Sequence, residues 1–437
     1  MASRGEGPLL RGIGRGSMVA LFINAVVGAG IFGLPARVHE LLGPWALLAY
    51  VACALLVLLV VLCFAEVGSR FEETGGPYLY ARTAFGPFVG FQVGWLVWLT
   101  RVTAFAALCN LLIDYLAHAW PAVASTGGRV AVASLATLAI AAVNIRGVRT
   151  AAIVANVFTI GKLVPLLLFV GVGMFFVEPA LYVPETAPSV GDFSSAMLLL
   201  VFAFTGFETA TVPAGEVRDP RRTLPFAILV SMAVIAPLYL LIQAVSIGTL
   251  PGLASSTTPL ADAAGRFAGS LGAGVIVLGA LVSISGTLNG LVLAAPRILY
   301  AMAEQGQLPA VFSRTHARYR TPHWAIALTA LCMLALTLSG SFLTAVALST
   351  ITRLLAYAAT CIAVPVLRRR AAGGGMAPAA FSVPGGPWVV GTALLVIAWL
   401  VLHARPEELR NVAIAMLVGA LLMGAAALAA GRASPRA

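Results

Sequence analysis

Long apolar stretches recur along the whole chain and leave few alternatives for its fold. A helix that crosses the roughly 30 Å hydrocarbon core of a bilayer needs about 20 apolar residues. Twelve stretches reach or approach this length, at 17–36, 44–68, 87–118, 129–145, 151–177, 194–215, 225–248, 270–302, 323–340, 343–367, 387–403 and 410–430. The sequence therefore predicts an all-α integral membrane protein with 12 transmembrane helices.

The composition agrees with this prediction. Of the 437 residues, 60% are hydrophobic and only 10% are charged, whereas soluble proteins carry about 25% charged residues. The basic segment 1–17 precedes the first span as in a signal peptide, but many further spans follow, so we expect an uncleaved first span. The 5 cysteines are scattered through apolar stretches and indicate neither a disulfide framework nor a metal site.

The arginines predict the orientation of the chain in the membrane. Cytoplasmic loops carry an excess of Lys and Arg. With both termini in the cytoplasm, most arginines fall on the inner side, among them Arg146, Arg149 and the run 368–370, and few fall outside, such as Arg37 and Arg129. The formal charge of +11 is then a topology signal of a plasma-membrane protein, and we expect no nucleic-acid partner.

The first span contains a segment that disfavours a continuous helix. The stretch NAVVGAGIFGLPAR, residues 24–37, carries three glycines and a proline within an apolar run. Freed backbone groups are tolerated at this depth only where they line a cavity or a protein-lined site. If the outer half of the helix begins near Ile31, the amides just before it suit a carboxylate. Close helix packing at the glycines is the alternative.

The sixth span carries a second interruption, in a helix that runs the opposite way. The stretch FAFTGFETATVPAGE, residues 202–216, contains Gly206, Glu208 and Pro213. An outer half-helix that ends near Phe202 and Ala203 would offer carbonyl oxygens to an ammonium group. Amides at one break and carbonyls at the other describe a receptor for a zwitterion, which indicates an amino acid.

The predicted substrate-binding residues all lie at these two breaks. They are Gly28, Ala29, Gly30, Ile31, Phe202, Ala203, Phe204, Thr205 and Gly206. Two antiparallel interrupted spans, five spans apart, are what an inverted repeat of spans 1–5 and 6–10 predicts.

Four motifs, in this order, resemble the amino acid, polyamine and organocation superfamily of secondary transporters. They are NAVVGAGIFGLPARV, SRFEETGGPYLYARTAFGPFVG, FAFTGFETATVPAGEVRDPRRTLPFAI and PRILYAMAEQGQLPAVFSR. The resemblance covers residues 15–370 and implies a 5+5 inverted repeat with broken helices 1 and 6, two extra helices and alternating access. It also implies that the ring at Phe202 closes over bound substrate.

This fold divides the chain into four parts. They are a cytoplasmic tail at 1–16, a first repeat at 17–177, a second repeat at 194–367, and the last two helices at 387–430. The Gly- and Pro-rich segment 370–386 is expected to be a tether for those two helices.

Lys162, in the fifth span, is the only lysine of the chain. It lies too far from the inner end of its helix to reach water fully, and a buried amine of this kind can exchange a proton. In similar sodium-independent transporters a basic residue of this span occupies the place of the sodium ion. We therefore expect Lys162, Glu208 and Ser283 to couple protons to transport, with Lys162 bonded to first-span carbonyls and to Ser283. A permanently charged structural lysine is the alternative.

Other ionisable residues within or near the spans have less specific expectations. Arg101 either pairs with Glu208 or serves as a scaffold cation, and Arg353 is expected to be structural. Glu66 lies near the inner end of the second span and is expected to reach water.

The sequence thus predicts a sodium-independent, proton-coupled amino acid permease that favours small or apolar neutral substrates. An exchanger and a carrier of cationic amino acids or polyamines remain open, and a sensor or an ion channel is less favoured. The spans show no nucleotide-binding or hydrolytic motif, so we expect no enzyme activity, cofactor or metal. The expected partners are an amino acid, protons and the lipid bilayer, in a monomer or homodimer.

Overall fold

Helices account for the regular structure of the chain in a computed structural model. The structure describes residues 13–28, 30–73, 75–146, 151–184, 186–212, 214 and 217–433. The helices are α1 Arg15–Val26, α2 Gly30–Leu42, α3 Ala46–Gly68, α4 Gly76–Phe85, α5 Pro87–Ala119, α6 Thr126–Arg146, α7 Ala151–Gly173, α8 Val190–Ala203, α9 Phe207–Ala210, α10 Pro220–Thr249, α11 Pro259–Glu304, α12 His323–Ser339, α13 Phe342–Ala372, α14 Gly386–Leu402 and α15 Pro406–Ala433.

The lengths and apolar character of these helices confirm a multi-pass membrane protein. Within the described residues, 8 helical segments are long and apolar enough to cross a bilayer, and shorter apolar helices lie at 15–26, 161–176, 323–339 and 386–402. The predicted all-helical membrane architecture is therefore confirmed.

Helix α5 lies at the centre of the bundle. In its most apolar stretch 94% of the residues are buried, against 22% in α6 and 17% in α15. It packs against α4, α11, α12 and α13. Side chains of α5 therefore face other helices, whereas α6 and α15 present most of their surface outward, as helices in contact with lipid do.

Glu66, near the end of α3, is fully buried. Its carboxylate accepts hydrogen bonds from Arg368 at 2.6 and 2.7 Å, from Arg70 at 3.1 Å and from the amide of Val383 at 2.8 Å. The expectation that Glu66 reaches water is therefore wrong, because α13 and the segment before α14 cover it. The segment 370–386 does more than tether α14, since it also bonds to α3.

Glu66→Gln is expected to lower the free energy of unfolding by about 3 kcal/mol, because it leaves the buried Arg70 and the half-buried Arg368 without their counter-charge. Thermal unfolding of the purified protein in detergent measures the effect. Glu40→Gln is the matched control, since Glu40 forms an exposed pair with Arg37 at 3.0 Å and such pairs contribute about 1 kcal/mol or less. Equal shifts in the two variants would contradict the role of Glu66.

Candidate functional site

The helical hydrogen bonding of the first span stops between α1 and α2. The amide of Gly28 donates to the carbonyl oxygen of Val26 at 2.7 Å, so it does not donate to the carbonyl oxygen of Asn24 as it would in a continuous α-helix. Helix α2 begins at Gly30. Ala29, a predicted binding residue, lies outside the described residues. The first amides of α2 have no preceding helical turn to bond, which leaves them free for a ligand.

A second interruption separates α8 from α9. Helix α8 ends at Ala203, and Gly206 adopts a φ of 120°. The hydroxyl of Thr205 donates to the carbonyl oxygen of Phe202 at 2.9 Å. The amide of Gly206 donates to the Glu208 carboxylate at 3.0 Å. One of the carbonyl groups expected to be free is therefore already satisfied by a neighbouring hydroxyl.

The two interruptions are in direct contact. A Cβ atom added to Gly206 would overlap the carbonyl oxygen of Ala25, and one added to Gly30 would lie 2.9 Å from Cα of Ala203. Both glycines thus allow the two chain segments to approach each other. Gly28 differs, because the nearest atom to an added Cβ would be 3.8 Å away. Packing explains Gly30 and Gly206, and Gly28 borders open space.

A cavity of about 370 Å³ lies where the interruptions meet. Its walls come from the two interrupted spans and from α5, α7, α11 and α13. Seven residues predicted for substrate binding or proton coupling line it, and these are Gly28, Gly30, Lys162, Phe202, Ala203, Thr205 and Gly206. Its size lies within the roughly 300–1,000 Å³ range of small-molecule sites.

Ile31, Phe204, Glu208 and Ser283 are not among the described residues that line this cavity. The ring of Phe204 instead packs on Tyr239, with ring centroids 5.1 Å apart. The side chain of Ile31 is buried and does not line the cavity. A ligand could therefore contact Ile31 only through its backbone amide.

Lys162 joins α7 to the interrupted first span. Its side chain is buried, and its ammonium donates to the carbonyl oxygen of Asn24 at 3.1 Å. The hydroxyl of Tyr239, on α10, donates to the carbonyl oxygen of Val26 at 3.1 Å. These side chains supply donors to carbonyl groups at the end of α1, where helical amides are missing. The hydroxyl of Ser283 is buried and has no hydrogen-bond partner, so Lys162 does not bond it in this structure.

Glu208 lies at the centre of a buried polar cluster. Its carboxylate forms an ion pair with Nε of Arg353 at 3.0 Å and accepts a hydrogen bond from the Tyr357 hydroxyl at 2.7 Å. Arg353 also donates to the hydroxyl of Thr205 and lies over the ring of Phe202, 5.9 Å from its centroid. The partner of Glu208 is therefore Arg353 on α13, and not Arg101.

Three residues of this region, Asn24, Arg353 and Tyr357, were not assigned to the site from the sequence. Arg353 is a charged residue within a span, but the sequence does not show which face of α13 lines the site, because the polar residues of this helix, such as Ser349, Thr350 and Thr352, are not confined to one face. Asn24 lies one helical turn before the glycines, and its side-chain oxygen is buried without a partner. A polar side chain next to a helix break is the sequence signal that could have identified Asn24 as a site residue.

The chain is similar in sequence to known proteins over most of its length. The amino acid permease family matches residues 13–425. The branched-chain amino acid permease BcaP of Bacillus subtilis is 26% identical over 96% of this chain and 94% of its own length. The serine/threonine exchanger SteT of the same organism is 30% identical, over 85% of this chain and 86% of its own. The vacuolar cationic amino acid transporter 4 of Arabidopsis thaliana is 27% identical over 73% of this chain and 57% of its own length.

Gly206→Ala is expected to destabilise the protein far more than Gly28→Ala. At a φ of 120° a side chain costs about 1–3 kcal/mol in backbone strain, and the contact with Ala25 adds steric overlap. An alanine at position 28 meets only ordinary contacts. Thermal unfolding and the yield of monodisperse protein measure both variants, and similar melting temperatures would contradict the assigned contact between the breaks.

Proposed function

The chain belongs to the amino acid permease family, and from this premise we propose that it is a sodium-independent, proton-coupled secondary transporter of amino acids. The observation that supports this most is the cavity formed where two interrupted helices meet. A carboxylate at the start of α2 and an amine near the end of α8 would each find backbone groups of the complementary charge.

The proposed architecture is 12 transmembrane helices in a 5+5 inverted repeat. The pairs α1–α2 and α8–α9 each count as one broken span, and the short α4 as none. The other helices up to α13 then complete two repeats of five spans, at 17–177 and 194–367. Helices α14 and α15, within 387–430, follow the repeats.

The cavity extends to one side of the break in the first span. Its lining includes Leu21 and Asn24 of α1, but from α2 only Gly30, and it includes seven of the nine residues 286–294 in the second half of α11. With both termini in the cytoplasm of a plasma-membrane protein, this is the inner side. The structure therefore fits an inward-facing state of an alternating-access cycle, with Phe202 at the closed end.

Proton coupling is proposed for Lys162. Its ammonium bonds a carbonyl of α1, and it faces a cavity that Arg101 and Arg353 also line. Loss of its proton would weaken the bond to Asn24 and reduce repulsion among these cations. Such a change would alter how firmly α1 is held against α7. A permanently charged lysine that only holds α1 is the alternative, and it predicts transport without a proton response.

Counterflow in proteoliposomes tests the transport function. Saturable exchange of a labelled amino acid against an internal one supports a carrier, since a sensor would bind without flux and a channel would give non-saturating, voltage-driven flux. Net uptake into empty proteoliposomes, measured under an inward proton gradient, separates symport from exchange. Symport gives uptake into vesicles that hold no amino acid, whereas an obligatory exchanger requires internal substrate.

Uptake is expected to be independent of sodium and stimulated by an inward proton gradient, and Lys162→Ala is expected to abolish that stimulation. The measurement is initial uptake at symmetric pH and with an acidic exterior. Arg297→Ala is the control, because it removes an exposed cation from α11 outside the cavity lining. Sodium-dependent uptake, or an unchanged proton response in a well-folded Lys162→Ala protein, would contradict this proposal.

A further inference from the structure

We propose that Arg101 binds an anionic side chain of the substrate, so that this transporter prefers acidic amino acids with a second carboxylate. The inference rests on the proposed transport function and specifies its substrate class. It replaces the preference for neutral substrates that the sequence favours, because Arg101 lines the cavity without a directly paired carboxylate.

Arg101 is buried yet incompletely bonded. It lies near the middle of α5, is 3% exposed and lines the cavity. Its Nε has no hydrogen-bond partner, and a terminal nitrogen donates a long hydrogen bond of 3.5 Å to the carbonyl oxygen of Ala294. A guanidinium has five N–H donors, and a buried charge without partners is strongly unfavourable. Arg101 therefore has donors available for a ligand in the cavity.

The neighbouring carboxylate does not satisfy Arg101. Glu208 already pairs with Arg353 and accepts from Tyr357 and from the amide of Gly206. Arg101 is not among its hydrogen-bond or ion-pair partners. Arg353 is thus paired directly with a carboxylate, whereas Arg101 has no such direct contact.

The charge of the cavity favours an anion over a cation. The described residues that line it include Arg101, Lys162 and Arg353 but no aspartate or glutamate. Glu208 pairs with Arg353 from behind the wall, so Arg101 and Lys162 are the cations that this pair leaves. A zwitterionic amino acid adds no net charge, and a lysine-like substrate adds a repulsive one. A second carboxylate adds the missing negative charge, and it matches the planar fork of an arginine with two parallel hydrogen bonds.

The walls near Arg101 suit the aliphatic part of such a substrate. Ala104 and Leu108 follow Arg101 along α5, and Gly286 and Gly290 leave room on α11. One end of the substrate would then lie at the first break and the other at Arg101. The cavity of about 370 Å³ leaves space for methylene groups between the two ends.

The test compares L-glutamate with L-glutamine, which have nearly the same shape and differ in side-chain charge. Competition by each against labelled amino acid exchange in proteoliposomes is expected to show at least a tenfold lower half-inhibiting concentration for glutamate. L-lysine is expected to compete more weakly than glutamine. Glutamine that competes as well as glutamate would overturn the inference.

Arg101→Gln is expected to reduce the preference for glutamate over glutamine at least tenfold. Arg297→Gln, the matched removal of an exposed arginine, should leave the ratio unchanged. A ratio unaffected by Arg101→Gln would assign the preference elsewhere and overturn the inference. If Arg101→Gln does not fold, the wild-type ratio of glutamate to glutamine decides the question.

Failure of this inference and failure of the proposed transport function give different results. Exchange of neutral amino acids without competition by glutamate would overturn the inference and leave the transport function intact. Absence of exchange for every amino acid would instead contradict the proposed function. The alternative is that a chloride ion, and not a substrate carboxylate, compensates the charge of Arg101. Glutamine transport would then fail when chloride is replaced by gluconate, and that outcome would also overturn the inference.

Discussion

Backbone groups released inside an apolar bundle must find partners, and the functional region of this protein depends on that requirement. Each unpaired carbonyl or amide in a hydrocarbon environment costs several kcal/mol. Lys162 and Tyr239 donate to two carbonyl groups at the end of α1, and Thr205 donates to the last turn of α8. Side-chain donors therefore stabilise both interruptions.

Burial also governs the charged residues. Glu66 and Glu208 are both enclosed, and both have arginine partners from α13, namely Arg368 and Arg353. Helix α13 thus supplies counter-charges at two levels of the bundle. Loss of either carboxylate would leave an arginine without its compensating charge. Arg101 differs from these arginines, because no carboxylate of the protein pairs with it directly. Since it lines the cavity, a bound anionic substrate can supply that negative charge.

Glycine acts locally, so the sequence indicates where helix ends are favoured. Ile31 was expected near the start of the outer half-helix and α2 begins at Gly30, while α8 ends at the predicted Ala203. The enclosure of Glu66 could not be predicted, because it depends on the distant residues Arg368 and Val383. The pairing of Arg353 with Glu208 depends on the rotation of α13 about its axis. The polar residues of α13 are not confined to one face, so the periodicity of its sequence does not encode that rotation.

Asn24 gives a physical route by which substrate and proton can influence each other. Its backbone carbonyl accepts from Lys162, and its side chain lines the cavity. A substrate carboxylate near this residue would favour the charged form of Lys162 by electrostatic attraction. By linkage, the charged lysine would favour the bound anion to the same extent. An anionic substrate would strengthen this coupling, because each added negative charge attracts the same ammonium group, and α1 would then be held most firmly when substrate and proton are both present.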